Sequence, residues 1–145
     1  MIMLQIFIAT IRMQKIYINL FKNILLVDDD EFVLVGLKKI LNQQHNKPYQ
    51  IYEADDGETA IELAKKINFD LLIIDNQMQP LSGPQTAQQI KNIRPNCLII
   101  LSSSDELNDE FLQKLTYIDF IIHKPFTLKC FNEQLQSKLD PSVKI

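Results

Sequence analysis

Three short apolar runs, each stopping abruptly at an acid or a hydroxyl, constrain this chain more than anything else in it. Ile24-Leu25-Leu26-Val27 ends in Asp28-Asp29-Asp30, Leu71-Leu72-Ile73-Ile74 ends in Asp75, and Leu98-Ile99-Ile100-Leu101 ends in Ser102-Ser103-Ser104. Runs this short are strand-length, and they show no polar alternation. Both faces of the strands must therefore be covered, as in a parallel sheet. Two weaker runs complete the set: Gln50–Ala54, with β-favouring Ile51 and Tyr52, and Ile118–Ile122, which leads into His123-Lys124-Pro125. Stretches of helical spacing separate them. Phe32 to Gln44 carries Val33, Leu37, Ile40 and Leu41 on one side, and Glu58 to Ile67 carries Ala60, Ile61, Ala64 and Ile67. Strand and helix alternate five times. That pattern predicts an α/β domain, a doubly wound five-stranded parallel sheet with helices on both faces.

Local signals place the connections. Asn46-Lys47-Pro48 and Asp55-Asp56-Gly57 read as turns, and a loop holding Pro80 and Gly83 precedes a helix from about Pro84. Ser103 and Glu106 have capping-box spacing and predict a fourth helix reaching about Leu115. Thr127 is the expected cap of the last helix, with Phe131, Leu135 and Leu139 on its inner face. Asp30 and Glu31 suit a helix N-terminus better than a ligand role.

Composition removes several function classes. Lys and Arg total 15 against 18 Asp and Glu, and only Arg12 and Arg94 carry guanidinium groups, so the expectation is no nucleic acid partner. Cys97 and Cys130 lie far apart without histidines at metal spacing, which argues against zinc and a disulfide framework and predicts packing thiols. Two reduced thiols suit a cytoplasmic location. The apolar stretch Met1–Ile11 is interrupted by Gln5 and is too short to span a bilayer, so no membrane association is expected. With 145 residues the chain suits one domain, read as residues 23–139 between an N-terminal extension of unknown role, 1–22, and a tail, 140–145. The extension stays open between a loose attachment, an added helix or strand, and the continuation of a larger protein.

In an open parallel sheet, ligands bind outside the carboxyl ends of the strands. Those ends here supply Asp28 and Asp29, Asp75, Ser102 and Lys124. Converging carboxylates repel and raise one another's pKa unless a cation joins them. A few hard oxygen donors suit Mg²⁺, while a lysine and a hydroxyl suit phosphoryl oxygens. Gly36, Gly57 and Gly83 form no glycine-rich phosphate loop, which argues against a nucleotide. A carboxylate can itself take a phosphoryl group.

The stretches Ile24–Glu31 and Asp70–Gly83, the Ser102-Ser103 strand end and Lys124-Pro125-Phe126 together resemble the receiver domain of two-component response regulators, a flavodoxin-like fold. The resemblance covers about Asn23 to Leu139. It implies Asp75 as phosphoacceptor, Ser102 as the switch hydroxyl and Lys124 as the phosphate-binding lysine. It implies metal binding by Asp28, Asp29, Asp75 and the backbone carbonyl of Gln77, with Asp29 direct and Asp28 mainly through water. Gln77 and Ser104 fall where the family tunes dephosphorylation, and the Lys124–Pro125 bond is expected to be cis. The implied partner is a sensor histidine kinase or a histidine phosphotransfer protein. The implied signalling face, which can also pair two copies into a homodimer, comprises the fourth helix, the fifth strand and the fifth helix. The chain would stand alone or belong to a hybrid kinase.

Two positions depart from the family. Gln79 follows Met78, so proline arrives one place late, at Pro80. Three residues before Lys124, where the family often has an aromatic, stands Ile121, with Phe120 one place earlier; either the strand bulges or the aromatic switch is missing. These departures keep alive an alternative, a phosphorylation-independent interaction module. A free-standing phosphatase is disfavoured because Gln77 stands where that chemistry needs a second acid.

Overall fold

A computed structural model of the protein describes Ile2, residues 21–43 and residues 49–139, with side chains described as far as residue 134 in the last helix. The strands are β1 (Asn23–Val27), β2 (Gln50–Ala54), β3 (Leu71–Asp75), β4 (Leu98–Ser103) and β5 (Phe120–His123). The helices are α1 (Glu31–Asn42), α2 (Gly57–Lys66), α3 (Gly83–Ile93), α4 (Asp109–Gln113) and α5 (Leu128–Leu139). All pairings are parallel, in the order β2-β1-β3-β4-β5. This is the doubly wound five-stranded sheet the apolar runs predict.

Strand periodicity sorts each run onto two cores. Leu25, Val27, Leu72, Ile74, Ile99 and Leu101 pack with Ala60, Ile61, Ala64, Ala87 and Ile90, on the face covered by α2 and α3. Ile24, Leu26, Leu71, Ile73, Ile100 and Ile122 pack with Leu34, Leu37, Ile40, Leu41 and Phe131, on the face covered by α1 and α5. A strand with core on both sides has no room for a polar residue, which explains the unbroken apolar runs. Cys97 is buried and Cys130 half-buried, as expected of packing thiols; burial pushes the Cys97 thiol up to about 12, leaving it inert.

Caps set the helix starts. Asp30 accepts from the Phe32 N–H at 2.9 Å to open α1, and Asp56 accepts from the Thr59 N–H at 2.7 Å to open α2. Thr127 accepts from the Cys130 N–H at 3.1 Å, as expected for α5. The cap expected at Ser103 is corrected. Ser103 belongs to β4, and its hydroxyl instead closes a turn with Asp105. α4 begins at Asp109, capped by Asn108, whose side chain accepts from the Phe111 N–H at 2.8 Å. Asn108 is the better cap because Asp109 and Glu110 then fall in the first turn, against the positive helix end. The predicted turn at Asn46–Pro48, the tail 140–145, the side chains of Leu135 and Leu139, and all of the extension except Ile2, Phe21 and Lys22 lie outside the described residues.

Candidate functional site

The strand order reverses beside β1, between its two neighbours β2 and β3, and that is where a crevice opens at the carboxyl edge. Val27 pairs with Ile74, so Asp28 follows level with Asp75 on the adjacent strand. Asp75 in turn pairs with Ser102. The Lys124 N–H donates to the Ser103 carbonyl at 2.8 Å, which brings the lysine to the same edge.

The side chains converge there. Lys124 Nζ donates to Asp28 Oδ2 at 2.7 Å and to Asp75 Oδ1 at 2.9 Å. Asp28 Oδ1 also accepts from the Asp30 N–H at 2.9 Å. One carboxylate oxygen from each of Asp28, Asp29 and Asp75 lies within 4.8 Å of the other two. Asp28 and Asp75 are buried, while Asp29 is exposed beside a cavity of about 370 Å³ that Gln77, Met78 and Ser82 also line. Oxygen-only donors, one of them already held by the protein and two less committed, fit a hard divalent cation that keeps part of its water shell.

Electrostatics follow from burial and crowding. Burial raises the Asp75 pKa; the Lys124 hydrogen bond opposes this, and the charges of Asp28 and Asp29 add to the rise. For Lys124, burial acts downward, but the hydrogen bonds to Asp28 and Asp75 outweigh it and hold the ammonium above its ordinary value. The lysine is thus locked in its charged form between two acids. Ser102 is buried, and its hydroxyl is the buried side-chain polar atom without a hydrogen-bond partner among the described residues. Such a group is costly to leave unpaired, and its presence asks for a reason.

The loop after β3 is clamped from behind. The Asn76 N–H donates to the Ser102 carbonyl at 2.8 Å, and the Gly83 N–H donates to the Asn76 carbonyl at 3.1 Å. Gly83 therefore sits directly against the backbone of Asp75. Met78 is buried beneath this loop, and the Gln79–Pro80 bond is cis, as is Lys124–Pro125. α3 starts on a full capping box between Ser82 and Gln85, a signal the sequence reading passed over.

The question at β5 is resolved. Its pairing with β4 runs without interruption from Ile100–Phe120 to Ser103–His123, so there is no bulge. Phe120 faces the α1 and α5 side, and Ile121 faces the other. The aromatic position is therefore occupied by isoleucine, beside a groove of about 460 Å³ lined by Leu107, Leu112, Leu115, Ile118 and His123. Sequence reasoning also missed Asp105. Its carboxylate accepts from the Gln77 side-chain amide, a contact between loops that nothing local in the sequence announces.

Comparison with known proteins gives this geometry a family. The response regulator receiver domain model matches residues 24–136. The response regulator GtcR of Aneurinibacillus migulanus is 35% identical over 105 residues, covering 72% of this chain and 42% of that protein. The autoinducer 1 sensor kinase/phosphatase LuxN of Vibrio campbellii is 32% identical over 122 residues, covering 83% of this chain and 14% of that protein. The chain thus spans less than half the length of either relative. Among solved structures, the response regulator TrrA of Thermotoga maritima, in complex with Mg²⁺-BeF, superposes with a TM-score of 0.69 at 29% identity, covering 81% of this chain and 99% of that one. No helix among the described residues is long and apolar enough to cross a membrane. A family match running across the whole sheet, on a fold whose crevice holds the acids at the expected strand ends, makes this chain a member of the response regulator receiver domains of two-component signalling.

Proposed function

We propose that Asp75 accepts a phosphoryl group from a phosphohistidine on a histidine kinase or phosphotransfer protein, with Mg²⁺ required, and that the modification shifts the signalling face. The observation that supports this best is the pairing of a charged lysine on Asp75 with a buried, unpartnered Ser102 hydroxyl beside it. Among the described residues nothing pairs with that hydroxyl, whereas a phosphoryl oxygen on Asp75 would be an acceptor for it.

In this reading a carboxylate oxygen of Asp75 attacks phosphorus. The histidine nitrogen–phosphorus bond breaks, and its electron pair stays on the imidazole. Lys124 moves from bridging two acids to neutralising a phosphoryl oxygen. Asp29 and Asp75 would hold the cation directly, with the Gln77 backbone carbonyl. Asp28, one oxygen of which accepts from the Asp30 N–H, would act through water, as the family resemblance implies. When bound, Mg²⁺ offsets the repulsion among carboxylates and phosphoryl oxygens. The phosphorylated side chain carries about −2 of charge where the carboxylate carried a single one, and its oxygens draw Ser102 inward and shift the population of the α4, β5 and α5 surface. The receiver unit comprises residues 23–139, flanked by 1–22 and 140–145, and works in the cytoplasm.

Intact mass after incubation with acetyl phosphate tests the reading. One phosphoryl adduct is expected with Mg²⁺, none after chelation and none in Asp75→Asn. No adduct in the unaltered protein would sink the reading and favour the phosphorylation-independent module, for which Ile121 at the aromatic position is the specific observation. Metal binding has a separate check. Mg²⁺ titration should move the amide NMR signals of Asp29, Asp75 and Gln77, and unmoved signals would disprove the cation site.

A further inference from the structure

The loops that follow Asp75 and Ser102 are joined by a side-chain contact at the rim of the crevice. The Gln77 amide donates to the Asp105 carboxylate, 28 residues away in sequence. Gln77 lies two residues after Asp75 and lines the cavity beside Asp29. Asp105 sits in a turn braced against the end of β4. Its N–H donates to Ser103 Oγ at 3.1 Å, and its carbonyl accepts from that hydroxyl at 3.3 Å. Ser103 directly follows Ser102. The contact thus ties the acceptor loop to the turn that must follow Ser102 when it moves.

We propose that Asp105 is a positioning residue that holds the Gln77 amide in the resting protein and gives it up when a phosphoryl group arrives on Asp75. This rests on the phosphoacceptor reading. Two physical effects drive the exchange. A dianionic phosphoryl group is a stronger acceptor than an exposed carboxylate, so it competes for the amide donor. The same group repels the Asp105 charge, so the resting contact weakens as the new one forms. Once released, the 103–105 turn is free to follow Ser102 inward. A contact made in one state and lost in the other shifts the equilibrium between them by its own worth. Gln77 and Asp105 are both exposed, so the contact adds little to global stability.

Calorimetric titration with beryllofluoride in saturating MgCl₂, across a double-variant cycle, tests the proposal. Asp105→Ala should bind beryllofluoride about fivefold tighter than the unaltered chain, and Asp105→Asn, which keeps an acceptor without the charge, about twofold tighter. In a Gln77→Leu background the gain from Asp105→Ala should fall below about twofold, because the partner is gone. An Asp105→Ala affinity no tighter than that of the unaltered chain would overturn the proposal. So would an equal gain with and without Gln77, which would mean simple removal of a negative charge. If Asp105→Ala melts well below the unaltered chain, Asp105→Asn in the same cycle decides by the same criteria. If the unaltered chain fails to bind beryllofluoride, the phosphoacceptor reading falls and this inference with it; if it binds and the variants match it, only the inference falls.

Discussion

Replacing Gly83 with alanine is expected to destabilise the protein by about 3 kcal/mol and to impair adduct formation on Asp75 at the same time. A Cβ at this position would lie 1.8 Å from the Asp75 carbonyl oxygen, 2.8 Å from its carbonyl carbon and 3.0 Å from the Asn76 Cα. These are backbone atoms, so no side-chain rotation relieves the overlap. Either α3 retreats or the end of β3 bends, and the end of β3 is the phosphoacceptor. The glycine is needed for close approach and not for an unusual backbone angle, since the chain has no glycine at positive φ. Gly36 is the control. Among the described residues outside its own helix nothing lies within 4 Å of a Cβ there, and the position is inside α1, so Gly36→Ala should stabilise by about 0.5–1 kcal/mol. Urea unfolding of the two variants checks the pair. Equal midpoints would mean that the contact behind Asp75 is not tight.

The second large effect is expected at Lys124. Its Nζ is the charge partner of two buried acids, so Lys124→Met leaves Asp28 and Asp75 facing each other without compensation. Removing one partner of a buried ion pair costs about 3–5 kcal/mol, and partial access of solvent to Lys124 places this case at the lower end of that range. The pH dependence has two parts. The Lys124 pKa is raised in the folded protein, so its contribution is complete below the ordinary lysine value and disappears as pH climbs through the folded one. Asp75 is also raised, so between its ordinary and folded values the folded chain binds more protons than the unfolded chain, and stability falls as pH rises there. Without the lysine the Asp75 shift grows. The variant should therefore lose most at neutral pH and recover on acidification, as Asp75 takes a proton. Mg²⁺ should restore part of the loss. Thermal melts from mildly acidic to neutral pH, with and without Mg²⁺, measure this. A deficit that stays constant across that range would mean that Asp75 is not held by Lys124.

Local order accounts for what could be read from the chain in advance. Strand identity was legible because a strand with core on both faces must be apolar at every position, and Ile24–Val27, Leu71–Ile74 and Leu98–Leu101 obey that rule. Asp28, Asp75 and Ser102 were legible because each is the first polar residue after such a run, and Lys124 because it follows the weaker β5 run one place beyond His123; parallel strands put these ends on one edge. The fourth helix was misread because Ser103 and Asn108 are both good caps by residue type. The choice depends on where β4 ends, and that depends on its pairing with β5. The bulge or missing aromatic at Phe120 and Ile121 was undecidable for the same reason, since register belongs to two strands and not to one.

By itself, then, the amino-acid sequence determined the element types, the parallel sheet and the residues at its carboxyl edge, all set by burial and by spacing along one chain. Tertiary structure alone decided the strand order that puts Asp28 beside Asp75, the seating of Gly83 on the acceptor backbone, the burial of an unpartnered Ser102 hydroxyl and the bond between Gln77 and Asp105. Each of these depends on distances between segments far apart in sequence, and local propensity carries no record of such distances.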